Sequence, residues 1–326
     1  MSLPTLFETL RLPVIAAPMF IVSGPELVIA QCKAGIVGSF PALSARPAAQ
    51  LDEWLHQINE ELVDHRKSGQ PRQPAPFAVN LIVHKTNARL EEDLATCEKW
   101  KVPLVITSLG AREDVNKAVH AWGGTVFHDV INNTFARKAI EKGADGLVPV
   151  AAGAGGHAGS QSPFALMQEI RDWFEGPVAL SGSIACGRSI IAAQALGADF
   201  AYVGSPWIAT HEANAPNEYK QAIVDGNASD IVYSNLFTGV HGNYLRASIT
   251  AAGLDPDNLP QSDPDKMNFA SGGSTAAKAW KDIWGSGQGI GAVKAVSTVA
   301  ERVDELEAEY VAAKCELISR LGLEAS

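Results

Sequence analysis

Short apolar runs alternate with longer amphipathic stretches through the first two hundred residues of the chain. The runs are four or five residues long and almost continuously hydrophobic, as parallel strands covered on both faces should be. Eight of them predict strands at residues 14–17, 35–39, 77–81, 104–107, 125–128, 146–150, 178–181 and 200–203. Helical periodicity follows the first seven, at about residues 24–33, 47–63, 87–100, 112–122, 134–142, 163–174 and 187–196.

Eight successive strand–helix units predict an α/β protein of the (β/α)8 type, a TIM barrel. A doubly wound open sheet is the alternative architecture. It seldom needs eight units in unbroken succession, and their regular spacing favours a closed barrel.

The alternation of predicted strands and helices ends after Trp207. Residues 207–284 are rich in aromatic residues and contain loops of Gly, Asn, Pro and Asp, and we predict a mostly helical insertion that covers the C-terminal mouth. The barrel domain would then comprise residues 1–206 and 285–326, with a last amphipathic helix near residues 297–321.

Composition narrows the function classes. Of the 326 residues 46% are hydrophobic and 19% charged, enough for a large core, and the net charge of −10 argues against nucleic acid or an anionic membrane as partner. The four cysteines lack metal-ligand spacing, so we expect no metal site. No secretory signal or membrane-spanning run is visible. A cytoplasmic protein with a small-molecule substrate fits best, and a homo-oligomer is left open.

The loop at residues 151–160 surrounds one imidazole, His157, with glycine and alanine. Glycine lets backbone lie close to a flat ligand, and a histidine can exchange a proton near neutral pH. We predict that Gly155 and Gly156 contact such a ligand and that His157 is catalytic. A tight turn with a structural histidine is the simpler reading of these ten residues.

Serine–glycine pairs follow the last two predicted strands, at Ser181-Gly182-Ser183 and at Gly204-Ser205. Phosphate sites of these barrels typically lie at this place, so we predict a phosphate ligand there, with ordinary turns as the alternative. Residues 153–158 also fit a dinucleotide-binding fingerprint. The helix-start signal at Ser162-Pro163 comes too late for that motif, so we set it aside.

A phosphate at one side of the mouth and a flat ligand across it together suggest FMN. Pro18 and Met19 would cover part of the flavin ring, and Asn80 would hydrogen-bond a ring edge.

Several segments resemble the nitronate monooxygenases. They are residues 17–19, 79–81, 126–130, 154–159, 181–183, 204–205, 209–210, 236–244 and 284–289. The resemblance implies non-covalent FMN, a catalytic His157 and a further flavin contact at Gln288. Some relatives carry lysine where this chain has Asp129. Either Asp129 points away from the flavin, or His128 supplies the positive or donor group there.

The resemblance favours FMN-dependent oxidation of alkyl nitronates with O2 to a carbonyl compound and nitrite. Neutral His157 would take the α-proton of a nitroalkane, or its imidazolium would stabilise the nitronate. His241 and Tyr244, in the covering segment, would touch substrate; structural roles are the alternative.

Three other functions remain to be weighed. An NAD(P)H-dependent FMN reductase of quinones or enoyl thioesters would use the same flavin site. A barrel like inosine-monophosphate dehydrogenase would need a cysteine between residues 146 and 162, where there is none. A flavin- or phosphate-binding protein without catalysis would be yellow and inactive.

Overall fold

The computed structural model describes residues 5–262 and 280–322. Eight of its strands form the barrel: β1 Val14–Ala16, β2 Gly38–Pro41, β3 Phe77–Ile82, β4 Leu104–Ser108, β5 Thr125–Val130, β6 Gly146–Pro149, β8 Ala179–Ser181 and β9 Phe200–Val203. A two-residue strand, β7 Gly156–His157, lies in the loop after β6. The helices between the barrel strands are α1 Pro25–Ala34, α2 Gln50–Lys67, α3 Leu90–Lys99, α4 Glu113–Ala121, α5 Asn133–Glu141, α6 Pro163–Arg171 and α7 Gly187–Ala195.

The barrel is closed, as the sequence predicted. Parallel pairing joins β2 through β6 in chain order, and a second parallel sheet runs β1–β9–β8. Three isolated parallel bridges join these sheets, Ile15 to Val37 at one seam, and Leu147 to Val178 and Val150 to Ser181 at the other. The open-sheet alternative is therefore excluded.

A plug of aromatic rings closes the N-terminal end of the barrel. Phe7, in a short 3-10 helix at Thr5–Phe7, packs with its ring centroid 4.6 Å from that of Phe200 and 5.8 Å from that of Phe127. All three side chains are buried. Because this end is filled, a ligand enters at the carboxyl ends of the strands.

The second strand begins three residues later than predicted. Gly35 has a φ of 93° and caps α1, so the apolar run at residues 35–37 starts as the turn that ends the helix. A side chain at Gly38 would lie 2.6 Å from the carbonyl oxygen of Val28, which fixes a glycine where the strand crosses α1.

The covering segment is helical only in part. Its described residues, 207–262 and 280–284, contain the end of a short helix α8 Ser205–Ile208, then α9 Asn217–Asp225 and α10 Arg246–Ala251. They also contain a hairpin that the sequence analysis did not predict, β10 Ile231–Ser234 and β11 Gly242–Leu245. Residues 263–279 of the predicted insertion lie outside the described residues, and the boundaries at 207 and 284 stay predictions.

The hairpin reaches back to the barrel. β11 pairs antiparallel with β7, with Gly242 opposite His157 and Asn243 opposite Gly156. The chain leaves and rejoins the barrel side by side, where Thr210 bridges to Ser297, and α11 Val299–Leu321 then packs on α7 and α1.

Candidate active site

A cavity of about 1420 Å³ opens at the carboxyl ends of the barrel strands. It brings together thirteen of the predicted site residues: Pro18, Met19, Asn80, His128, Gly155, Gly156, His157, Ser181, Gly182, Ser183, Gly204, Ser205 and His241.

Two predicted residues, Tyr244 and Gln288, are not among those that line the cavity. Tyr244 is fully buried and packs on the rings of Phe237 and Trp280, at centroid distances of 4.9 and 5.5 Å. The backbone N–H of Gln288 donates to the carbonyl oxygen of Gly153 at 2.9 Å. A flavin contact from Gln288 and a substrate contact from Tyr244 stay predictions.

The imidazole of His157 is held by the covering segment. Its Nε2 lies 2.9 Å from the hydroxyl oxygen of Thr238, and that hydroxyl donates to the carbonyl oxygen of Val240 at 3.0 Å. The Thr238 proton is thus used, so Nε2–H of His157 is the donor in the first bond. The basic nitrogen of the neutral ring is then Nδ1.

Burial lowers the pKa of His157 to about 4. The edge of Trp280 also meets the ring, at a centroid distance of 5.3 Å. At pH 7 the imidazole is therefore neutral, which favours a proton-accepting role over a cationic one.

The glycines before His157 are required by the protein itself. A Cβ at Gly155 would lie 2.7 Å from the backbone nitrogen of Gly287 and 2.9 Å from the carbonyl carbon of Ser286. Asn243, buried on β11, donates from Nδ2 to the carbonyl oxygen of Ala154 at 2.6 Å. Gly155 thus serves close backbone packing against residues 286–287, whatever it also contacts in the cavity.

The two loops predicted to hold phosphate lie side by side, because β8 pairs with β9. Ser183 has a φ of 56°, a left-handed conformation that non-glycine residues rarely adopt and that is frequent at functional sites. Ser205 accepts a bond from Gly287 N–H at 2.9 Å, which leaves its own hydroxyl proton for another acceptor.

At Gly204, packing against the rest of the protein does not require a glycine. A Cβ there would make only ordinary contacts, 3.5 Å from Cβ of Ala17 and 3.9 Å from Sδ of Met19. The space beside it belongs to the cavity. Hydroxyl donors on Ser181, Ser183 and Ser205 around that space have the chemistry that a phosphate ester needs.

A polar network lines the opposite side of the mouth. The amide nitrogen of Asn80 donates to the carbonyl oxygen of Ile106 at 2.9 Å and to the hydroxyl of Ser108 at 2.7 Å. Ser108 donates in turn to Oδ2 of Asp129 at 2.5 Å. Both amide protons of Asn80 are engaged, so its carbonyl oxygen is the group left for a ligand.

Asp129 lines the cavity, which disfavours the alternative in which it points away from the flavin. Burial raises the pKa of its carboxyl to about 6, against the lowering effect of hydrogen bonds from Ser108 and from the backbone N–H of Leu109.

His128 does not supply a positive charge. Its Nδ1 lies 2.6 Å from the hydroxyl oxygen of Thr107, and burial lowers its pKa to about 4. The ring is neutral at pH 7, so the alternative that gave His128 a positive charge is wrong. The alternative in which His128 supplies a neutral donor stays a prediction.

Comparison with known proteins identifies the family. A profile of the family described as nitronate monooxygenase matches residues 3–309. The chain belongs to the nitronate monooxygenase family. The members of this family are flavin enzymes.

Two relatives show the range of similarity. A nitronate monooxygenase of Neurospora crassa is 26% identical over 349 aligned positions, covering 93% of this chain and 90% of that protein. A dehydrogenase of Rhodococcus jostii that acts on a hydroxy-methyl-oxo-octahydroindene-carboxyl-CoA is 24% identical, over 73% of this chain. The chain covers only 53% and 63% of the length of two of the curated relatives it matches.

Solved structures agree on the fold. The nitroalkane oxidase of Streptomyces ansochromogenes superposes with a TM-score of 0.78 at 22% identity, covering 96% of this chain and all of that one. FabK of Thermotoga maritima superposes with a TM-score of 0.76 at 21% identity, over 97% of each chain. At this identity the likeness establishes the TIM barrel alone.

Three residues at this site were not predicted as site residues from the sequence: Tyr202, Thr238 and Asn243. Tyr202 lies within β9, and no local signal distinguishes an inward strand residue that reaches the mouth. Thr238 and Asn243 act through a hairpin whose pairing with β7 joins positions about eighty residues apart. The segment at residues 236–244 entered only through the family resemblance.

Two further observations concern the described part of the chain. It contains no cluster of three or more His, Cys, Asp or Glu side chains placed to hold a metal ion. None of its helices combines the length and the apolar character needed to cross a bilayer. The cytoplasmic location stays a prediction, and the oligomeric state is open.

Proposed function

We propose that the chain is an FMN-dependent enzyme that oxidises alkyl nitronates with O2 to a carbonyl compound and nitrite. The observation that carries the proposal is a neutral, half-buried imidazole, His157, on the wall of a cavity that the serine–glycine loops also line. Membership of the nitronate monooxygenase family supports the same reaction.

The residues present fit FMN. Ser181, Ser183 and Ser205 would hold the phosphate with neutral hydroxyl donors, and the space beside Gly204 would admit it. Pro18 and Met19 line the cavity next to that space, and Asn80 offers a carbonyl oxygen across the mouth. The flavin would supply the electron acceptor that no side chain can provide.

His157 would act as a general base on a neutral nitroalkane. Thr238 would hold the ring through Nε2 while the neutral imidazole takes the α-proton. The lowered pKa keeps the imidazole uncharged at neutral pH. The β7–β11 pairing and Trp280 limit water around the ring.

A second candidate is an NAD(P)H-dependent reductase of quinones or enoyl thioesters on the same flavin. The cavity exceeds the roughly 300–1,000 Å³ of ordinary ligand sites, which leaves room for a large second substrate. Arg46, Lys138 and Lys281 line it, although the chain as a whole is acidic. The acyl-CoA substrate of the Rhodococcus relative favours the same alternative.

Anaerobic mixing separates the two candidates. Purified protein reconstituted with FMN should show a flavin spectrum that is bleached by an alkyl nitronate and regained on admitting O2. Rapid bleaching by NADH or NADPH, with none by the nitronate, would establish the second candidate instead. Protein that stays colourless with added FMN would contradict both.

A further inference from the structure

The order of strands decides which groups face each other across the mouth. Around the closed barrel the order is β1 to β6, then β8 and β9, so β8 and β9 lie diametrically opposite β3 and β4. A ligand held by its phosphate at β8 and β9 that extends across the mouth reaches Asn80 on β3 and Ser108 on β4. Asp129, on the next strand β5, is bonded to Ser108.

The chemistry of this far side selects one edge of a flavin ring. The isoalloxazine has an apolar dimethylbenzene edge and a polar pyrimidine edge, which carries two carbonyl groups and N3–H. Asn80 offers a carbonyl oxygen, an acceptor for N3–H, and Asp129 offers a carboxyl. Polar groups that are buried require partners, so the pyrimidine edge fits here and the dimethylbenzene edge does not.

We propose that Asp129 takes up a proton when the bound flavin is reduced and shares it with the pyrimidine edge. This inference rests on the proposed function, since it needs a bound flavin. The flavin gains two electrons from the substrate and one proton, and becomes an anion. Asp129 takes a second proton from solvent, and its carboxylic O–H then donates to the negatively charged edge, so an ionised carboxylate does not face that anion.

The surroundings of Asp129 make it the group that titrates near neutral pH on this side. His128, beside it on β5, is held neutral by its lowered pKa, and burial keeps Tyr202, on β9, protonated by raising its pKa well above the usual value. The flanking strands bring Ser108 from β4 and Val148 from β6, neither of which titrates.

Other charged groups line the cavity farther out. Lys138 is one of them, on the helix α5 that packs against β5. His84, after β3, and His241, at the rim stacked on Tyr233, are the two histidines that a control variant replaces.

The test is the midpoint potential of the bound flavin between pH 5 and pH 8, measured by equilibration with redox dyes. The wild type should show a bend near pH 6, with one additional proton per two electrons above it, which is about 30 mV per pH unit. Asp129→Asn should lose that additional slope, because an amide does not titrate. Its potential should equal that of the wild type near pH 5 and exceed it increasingly toward pH 8.

Two further variants test whether Asp129 is the group that causes the bend. Ser108→Ala removes a hydrogen bond that favours the ionised carboxylate, so the bend should move to higher pH even if Asp129→Asn is poorly folded. A double variant, His84→Gln with His241→Gln, should keep the bend. Parallel lines for the wild type and Asp129→Asn, or a bend lost in the double variant, would overturn the inference while leaving the proposed reaction intact. Failure to bind FMN at all would overturn both.

Discussion

The two sides of the barrel mouth are built by different means. On the side of β6, β8 and β9, backbone packs against backbone: Gly155 contacts residues 286–287, and β7 pairs with β11. On the side of β3 to β5, side chains form a hydrogen-bonded network that runs from Asn80 through Ser108 to Asp129. On the first side a Cβ at Gly155 would overlap backbone atoms, whereas the second side contains groups that gain and lose protons.

The first side determines where the His157 side chain lies, and the second side determines which charges face a ligand. Close backbone packing fixes where His157 sits, since its strand is paired along both residues. The network sets which protonation states face a ligand, because desolvation raises the pKa of Asp129 and lowers that of His128. Four predictions test how far the division holds.

The largest effect is expected at His157. His157→Asn should lower turnover of a neutral nitroalkane by at least about 10²–10⁴-fold, the usual contribution of a general base. The affinity for FMN should stay within a factor of a few, measured by fluorescence titration. Turnover of a preformed nitronate should fall much less, because its α-proton is already gone. Equal losses on both substrates would contradict the proton-accepting role.

A pair of glycine variants tests the rigidity of the first side. Gly155→Ala places a methyl group 2.7 Å from a backbone nitrogen, and we expect a loss of about 1–3 kcal/mol in the free energy of unfolding. Gly204→Ala meets only ordinary contacts, so the cofactor-free protein should keep its stability while FMN affinity falls. Urea unfolding and FMN titration measure both. If Gly204→Ala unfolds as easily as Gly155→Ala, that space does not belong to a ligand.

On the side of β3 to β5, protonation of His128 at low pH should lower the free energy of unfolding. The pKa of this buried histidine is about 4 when folded, against about 6.5 when unfolded, so the unfolded chain binds a proton more readily. Its contribution to stability is complete above pH 6.5 and is lost as the pH falls toward 4. Between pH 7 and pH 5 the loss should be about 2 kcal/mol. His128→Gln should show a correspondingly smaller difference between urea unfolding at the two pH values; an unchanged difference would mean that His128 is not buried neutral.

The smallest effect is expected on kcat, from changes at Thr238, the hydrogen-bond partner of His157. Thr238→Val removes the acceptor of the Nε2–H bond and should lower kcat on a neutral nitroalkane by about tenfold, the cost of one buried hydrogen bond. Thr238→Ser retains the hydroxyl and should restore most of it. Nitrogen NMR of the ring should report the Nε2–H tautomer in the wild type and in Thr238→Ser. A wild-type ring that carries its proton on Nδ1 would refute the assignment.

The sequence predicted the barrel because each strand–helix unit carries its own periodicity, and closure follows from their number. It also predicted the glycine loop and the serine–glycine pairs, whose composition is local. The hairpin at Ile231–Leu245 was missed, because four-residue strands give little pattern and their pairing with β7 is a tertiary contact. The bond from Ser108 to Asp129 was missed for a related reason: it joins neighbouring strands twenty-one positions apart.

The pairing of β7 with β11 holds His157, the proposed base, against a segment about eighty residues later in the chain. The position of the proposed base and the shape of the hairpin therefore depend on each other. Exchanging residues 231–245 between relatives would move the imidazole as well as reshape the chamber above it. New specificities in this scaffold are then best sought on the strands facing the hairpin, where side chains can change without disturbing the base.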